Sequence, residues 1–182
     1  KASKVNDELK DLGTSNGIVH VVDKVLIPNK YNTVVGALQK RFDYTTLVAA
    51  VVAADLVDAL NGDGPFTLFA PINSAFSDNS LPAAVTAIVG KVAGGESLSQ
   101  EEKDALSDIL RYHVVSGEVL AADVTDNDDV ATIADDSQSI ETIATGGVAV
   151  KGDANASSIP VTEADLKVSN GVIHGVESVI LP

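Results

Sequence analysis

The sequence contains no cysteine, methionine or tryptophan, and it has only four phenylalanines and three tyrosines among its 182 residues. Without cysteine the chain has no thiol nucleophile, no disulfide framework and no thiolate metal site. Small and β-branched side chains must therefore pack the core, and 26 valines and 23 alanines supply them. Because 45% of the residues are hydrophobic, the chain has enough apolar side chain to fold and is not expected to be disordered.

Basic residues are also few. Twelve lysines and arginines stand against 26 aspartates and glutamates, which gives a net charge of −14. The first 41 residues carry +3, so residues 42–182 carry −17. A body this negative repels phosphate backbones and anionic lipids, so we expect no nucleic acid partner. No apolar run has the length of a bilayer span, so we expect no membrane insertion by this segment.

Sequence patterns of common catalytic and metal sites are absent. The chain contains no G-x-S-x-G, G-x-G-x-x-G, G-x-x-x-x-G-K-[ST] or H-E-x-x-H motif. The acidic stretch 123–141 holds seven carboxylates, but a calcium loop starting at Asp126 would have Ala131 where glycine is needed. We therefore expect no catalytic residues, no bound metal and no cofactor.

A segment of fourteen residues occurs twice, at an offset of 154 residues. Residues 15–28 read SNGIVHVVDKVLIP and residues 169–182 read SNGVIHGVESVILP, with seven identical positions and five conservative exchanges. The chain length allows one full domain and a fragment. We therefore expect residues 1–28 to be the C-terminal tail of one domain and residues 29–182 to be a complete second copy.

Hydrophobic periodicity predicts helices in the first half of the complete copy and strands in the second. Asp43 is expected to cap a helix over 44–60, with shorter helices over 33–42 and 82–92. Ser99 and Glu102 form a capping box for a helix that ends near residue 112. This order indicates an α+β fold with a mostly antiparallel sheet. The predicted strands are 113–115, 118–124, 139–144, 148–150, 159–162 and 172–181.

Three motifs resemble those of the fasciclin domain family. The family's first box resembles TLFAPINSAF at 67–76, and its second box resembles the segment that begins with NGVIH at 170–182. Its tyrosine-histidine motif is similar to LRYH at 110–113. The order and spacing match over about 29–182, and residues 1–28 resemble the second box of a preceding domain. The resemblance implies a β-sheet wedge flanked by a cluster of α-helices.

Most of the motif residues are expected to be structural. Phe69 and Phe76 have the apolar neighbours of core anchors, and Asn73 or Ser74 can cap the short turn that follows. A lone histidine on one face of a strand is more typical of a hydrogen-bonded core residue than of a ligand. The residues that we assign to structural motifs are Thr67, Phe69, Pro71, Asn73, Phe76, Asn170, Gly171 and His174.

The resemblance implies a binding role for four other residues. In animal members of the family, the tyrosine-histidine motif and an Asp-containing tetrapeptide before the second box are associated with integrin binding. The matching residues are Tyr112, His113, Asp165 and Leu166, although the tetrapeptide EADL lacks the family's proline. The alternative is structural: the tyrosine ring packs, the histidine bonds a backbone carbonyl at the helix end, and the acidic loop is solvated.

The resemblance implies a non-catalytic adhesion module in an extracellular, cell-surface or periplasmic location. Tandem fasciclin domains would combine weak contacts with a protein or glycan on a cell surface or matrix. The alternative is a carrier of a small apolar ligand such as a carotenoid, which some members bind, because Ala- and Val-rich helices could line a groove. A hydrolase using His113 with a serine and an aspartate is a third hypothesis that no spacing supports.

Overall fold

The computed structural model describes residues 11–19, 21, 33–77, 81–134, 138–144 and 147–182. These residues form five α-helices: α1 (Val34–Leu38), α2 (Thr45–Ala53), α3 (Val57–Leu60), α4 (Ala83–Gly94) and α5 (Gln100–Tyr112). Short 3-10 turns cover Phe42–Tyr44 and Asn73–Ser77. The strands are β1 (Leu12–Thr14), β2 (Gly17–Val19), β3 (Phe66–Pro71), β4 (Val114–Ser116), β5 (Asp128–Ala131), β6 (Ser139–Ile143), β7 (Ala149–Lys151), β8 (Ile159–Val168) and β9 (Gly171–Val176).

Seven strands form one sheet in the order β4-β3-β9-β8-β7-β6-β5, and β1 and β2 form a separate hairpin. Neighbours are antiparallel except β3 and β9, which are parallel. The sheet curls until its ends meet at a bridge between Val115 and Thr132. The Ile133 N–H donates to the Val114 carbonyl at 2.8 Å beside this bridge. The expected α+β class with a mostly antiparallel sheet is confirmed.

Strand β3 lies between two hydrophobic clusters. Its Leu68 and Ala70 pack into the larger cluster, which contains the buried faces of the helices. Phe69 points the other way, into a smaller cluster inside the curled sheet. The neighbouring strand β9 divides its side chains in the same way, with Ile173 in the first cluster and Val176 in the second. Both central strands are therefore buried on both faces, which is typical of a parallel pair.

The expected long helix over 44–60 is wrong, because the chain breaks it after Ala53. Asp55 has a left-handed backbone with φ of 56°, and the Leu56 N–H donates to the Val51 carbonyl, five residues earlier. The break lets Leu56 and Leu60 turn into the main cluster, where they are buried. Burial of two leucines therefore overrides the helical propensity of this alanine-rich segment.

The expected cap by Asp43 is also wrong, and the cap comes from a distant part of the chain. Asn73 Oδ1 accepts the Thr46 N–H at 2.9 Å in the first turn of α2. Asn73 Nδ2 donates to the Phe42 carbonyl at 2.7 Å. Asn73 therefore fastens α2 to the end of β3 through these bonds, whereas the sequence pattern suggested that it caps its own turn.

Three predicted strands differ in the structure. The strand expected over 159–162 continues to Val168 as β8. Residues 118–124 form no strand, because side chains from other elements bond their backbone groups. Thr67 accepts the Val119 N–H and Asp165 accepts the Ala121 N–H. The last strand ends at Val176, where the chain leaves the sheet and buries Val179 and Ile180 against it. The capping box of α5 is confirmed, since Ser99 and Glu102 each bond the other's backbone N–H.

Replacing Asn73 tests its role as a distant cap. We expect Asn73→Ala to lower the free energy of unfolding by about 1–2 kcal/mol, because the first turn of α2 loses its side-chain acceptor. Urea denaturation measures the change, and Ser74→Ala at the exposed neighbouring position is the control. Equal stability of the two variants would show that the cap is dispensable.

Candidate functional site

The tyrosine-histidine pair lies where α5 ends and β4 begins, and both side chains are buried. The Tyr112 hydroxyl donates to the Ser139 carbonyl at 2.6 Å and accepts the Asp153 N–H at 3.3 Å. Burial of the ring raises the pKa of Tyr112. The tyrosine therefore joins the helix end to β6 and to the loop after β7.

His113 connects the end of α5 to the C-terminal segment. Its Nδ1 lies 2.8 Å from the Ile109 carbonyl, and its Nε2 accepts the Ile180 N–H at 2.9 Å. These partners require a neutral ring with the proton on Nδ1. Burial without a nearby carboxylate lowers the pKa of His113 from 6.5 to about 4.

His174 is a second buried histidine, and it has the opposite tautomer. Its Nε2 lies 2.9 Å from the Val119 carbonyl and must donate, while its Nδ1 accepts the Asp165 N–H at 3.3 Å. The ring stacks on Phe69 with a centroid distance of 5.5 Å. Phe69 in turn donates its backbone N–H to the His113 carbonyl at 2.9 Å. The structure thus connects both sequence motifs through one buried chain of contacts.

Asp165 and Leu166 sit on β8 beside this chain of contacts. Asp165 is exposed, and its Oδ1 accepts the Ala121 N–H at 2.9 Å. Leu166 is half-buried and packs against the main cluster. The structure therefore brings Asp165 near His174, but it buries the tyrosine-histidine pair. Direct contact of these four residues with a partner stays a prediction.

Asn170 lies in the turn between β8 and β9, and Gly171 is the first residue of β9. Asn170 Oδ1 accepts the Val34 N–H at 2.9 Å at the start of α1, and Nδ2 donates to the Leu60 carbonyl at 3.0 Å at the end of α3. A Cβ on Gly171 would overlap the carbonyl of Phe66. This asparagine therefore fastens two helices to the sheet, and glycine permits β3 to approach.

Asn155 fastens the C-terminal segment to the loop after β7. Its Oδ1 accepts the N–H groups of Leu181 at 2.9 Å and Gly152 at 3.2 Å, and its Nδ2 donates to the Val179 carbonyl at 3.1 Å. Asn155 is also the first residue of the sequon Asn-Ala-Ser. Its amide nitrogen is thus engaged inside the folded domain.

An exposed aromatic surface, which sequence reasoning missed, lies at the start of α2. The Phe42 side chain is 91% exposed, although its backbone carbonyl is held by Asn73. Next to it, Arg41 lies over the Tyr44 ring at 5.1 Å and forms a 2.6 Å ion pair with Glu163. A shallow depression of about 270 Å³ adjoins it, lined by Arg41, Asp43, Tyr44, Ile72, Asn73, Ser74, Thr162 and Glu163. We call Phe42 and this depression the Phe42 surface.

The charges of the Phe42 surface hold each other in place. The ion pair with Glu163 raises the pKa of Arg41. Burial, together with the Glu163 charge, raises the pKa of Tyr44 to about 12, so the phenol stays protonated. The only sequence signal for this surface is an apolar residue between charged ones at 41–43, which is too short for a periodicity argument.

A second depression of about 500 Å³ surrounds the turn between β8 and β9. Charged and polar groups, including Asp63, Glu118, Lys167 and Asn170, line it. Neither depression has the mostly apolar lining of a site for a carotenoid-like ligand.

In the described ranges, no three His, Asp or Glu side chains are grouped as a metal site. Within the same ranges, no helix has the length and apolarity needed to cross a membrane.

Comparison with known proteins assigns the family. The family model described as Fasciclin domain matches residues 42–182. The chain belongs to the fasciclin family. Protein sll1483 of Synechocystis sp. is 43% identical over 140 residues, which cover 76% of this chain and 67% of that protein.

Longer relatives place the fasciclin chain in a wider context. The transforming growth factor-beta-induced protein ig-h3 of Sus scrofa is 31% identical over 177 residues, which cover 94% of this chain but only 22% of that protein. A solved FAS1 domain pair from the insect cell adhesion molecule Fasciclin I has the same fold, with a TM-score of 0.68 and 24% identity. The match covers 94% of this chain and 58% of the domain pair. The expected fasciclin fold is confirmed.

Acid should destabilise the domain through His113. The ring is protonated near pH 6.5 in the unfolded chain but only near pH 4 in the folded one, so the unfolded state binds more protons between these values. The contribution of the neutral His113 ring to the free energy of unfolding is complete above pH 6.5. About 3 kcal/mol of that free energy is lost as the pH falls to about 4. Urea denaturation between pH 7.5 and 4 measures the loss.

His113→Gln is the control for this pH dependence, because carboxylates also titrate in the range. Glutamine keeps a donor and an acceptor but does not titrate, so the variant should lose less stability on acidification than the native chain. Identical pH slopes would contradict the assignment, and so would an imidazole NMR titration of His113 near pH 6.5 in the folded protein.

The sequon gives a matched pair of variants for the C-terminal segment. Asn155→Ala should lower the free energy of unfolding by about 2–3 kcal/mol, because two backbone N–H groups and one carbonyl lose their partner. Ser157→Ala removes the same sequon at an exposed position and should change stability by less than about 0.5 kcal/mol. Thermal and urea unfolding compare the two, and equal losses would contradict the role of Asn155.

Proposed function

We propose that this fasciclin domain is a non-catalytic adhesion or interaction module at a cell surface, in the matrix or in the periplasm. It binds a protein or glycan, and it acts as one of several tandem fasciclin domains. The observation that carries the proposal is Phe42, a large aromatic side chain that is 91% exposed on a backbone held by Asn73.

The Phe42 surface has the composition of a binding hot spot. Energetic hot spots at interfaces are enriched in aromatic and arginine side chains that are buried when the partner binds. Phe42 offers apolar area, and Arg41 is already held by Glu163 and the Tyr44 ring, so it loses little further freedom on binding. The adjoining depression can take a side chain or a sugar ring.

The family relationship supports adhesion as the kind of function. One solved relative is named as a cell adhesion molecule. The larger depression has a mainly charged and polar lining, and the depression beside Phe42 mixes charged side chains with Tyr44 and Ile72, so neither favours the carrier hypothesis. The fold itself exposes no apolar groove at either place, so contact at a surface fits the geometry better than enclosure of a ligand.

Replacing Phe42 tests the proposal. Fluorescently labelled chain is added to cells and matrix of its own source, and binding is measured by flow cytometry and plate assay. We expect Phe42→Ala to weaken binding at least about 10-fold, because the anchor of the contact is removed. Val52→Ala, at a position that is 53% exposed on α2, is the matched control and should bind normally.

A third variant tests the site that the resemblance implies. Asp165→Asn keeps the Oδ1 acceptor for the Ala121 N–H and removes only the charge. A loss of binding in this variant alone would move the site from Phe42 to β8. Failure of the native chain to bind cells or matrix would overturn the adhesion role.

A further inference from the structure

The N-terminal hairpin is a structural copy of the turn between β8 and β9. Residues 12–14 pair with residues 17–19 in one antiparallel register. The residues 154 positions further on, 166–168 and 171–173, pair in the same register. The structural repeat thus extends the sequence repeat on its N-terminal side.

The backbone just before each hairpin is also the same. Asp11 has φ of 57°, and Asp165, at the same offset, has φ of 56°. Positive φ is uncommon for residues other than glycine. Both aspartates precede a leucine, so the equivalence reaches back to an Asp-Leu pair in each copy.

The two copies differ in what covers them. Ile18 is 65% exposed and Val19 is 48% exposed, whereas their counterparts Val172 and Ile173 are buried. Strand β3 pairs with β9 in parallel, and Ile173 packs into the main hydrophobic cluster. Among the described residues, no third strand pairs with β1 or β2. A two-stranded hairpin is only marginally stable in water, so its apolar residues need a partner.

Gly17 points to a strand as the missing partner. Its counterpart Gly171 is required because β3 passes so close that a Cβ would overlap the Phe66 carbonyl. A Cβ on Gly17 would meet only Thr14 Oγ1, at 4.0 Å. The glycine thus stands at the position where the equivalent strand would approach.

Asn16 has the matching polar side chain. Its counterpart Asn170 bonds backbone groups at the start of α1 and the end of α3. Among the hydrogen bonds of the described residues, Asn16 Oδ1 accepts one from the neighbouring Thr14 hydroxyl, at 3.2 Å, and none from a helix end. Asn16 is therefore placed to fasten two helix ends.

We infer that the hairpin is the last part of an upstream fasciclin domain, and that its partner is that domain's equivalent of β3, paired in parallel with β2. Val172 lies 105 residues after Thr67, its partner in β3. The partner strand should therefore carry a Thr-Leu-Phe-Ala-Pro-like segment about 105 residues before Ile18 in the encoded chain. The inference rests on the tandem part of the proposed function and is independent of adhesion.

A single cysteine tests the inference, because the 182 residues contain none and any cysteine upstream of them is first replaced by serine. Ile18→Cys is introduced into the 182-residue chain and into the chain as its gene encodes it, and the rate of thiol labelling is measured. Val52→Cys is the exposed control. We expect Ile18→Cys to react as fast as the control in the short chain and about 100-fold more slowly in the long one.

Each other outcome has a separate meaning. Fast labelling in a long chain that does contain the upstream segment would overturn the docking but leave the tandem organisation standing. An upstream sequence without such a segment would overturn both, whatever the adhesion assay shows. Protection that appears in the short chain and grows with protein concentration would identify a second copy as the partner and overturn the inference.

Discussion

The parallel pairing of β3 with β9 is the constraint on which the other contacts depend. The two strands lie 105 residues apart at their Thr67–Val172 pair, and each is buried on both faces. The chain must pass close enough at Phe66 that only glycine is accommodated opposite it. Once this pair is formed, Asn170 at one end can bond the backbone at the start of α1, and the Phe69 ring can stack on the His174 ring.

Two buried neutral histidines then connect the pair to its surroundings. His113 joins α5 to the C-terminal segment, and His174 joins β9 to the loop after β4 and to β8. Each ring uses one nitrogen as donor and the other as acceptor, so no buried polar atom is left without a partner in the described side chains. Tyr112 and His113, for which the resemblance implies a binding role, are therefore internal hydrogen-bonding groups, whereas Asp165 is exposed.

The sequence predicted those features that depend on local patterns. The capping box at Ser99 and most of the strands after α5 follow from neighbouring residues. Strand β3 departs from the expected order of helices before strands, because it lies between α3 and α4. The errors arose where contacts between residues far apart in the sequence determine the local structure. Asn73 caps α2 from the end of β3, and Thr67 and Asp165 take the backbone groups of a segment that otherwise has strand propensity. The Phe42 surface was missed because exposure of one aromatic residue leaves no periodic signal.

Strand β9 is central in the sheet but comes last among the strands of the domain. A ribosome therefore has to synthesise nearly the whole domain before this interior strand is available, and until then the edge of β3 that pairs with β9 stays uncovered. Long-range pairing of this kind slows folding and prolongs exposure of unpaired edges. Chaperone demand during synthesis should thus be highest just before β9 emerges, and truncations short of Gly171 should leave an aggregation-prone intermediate.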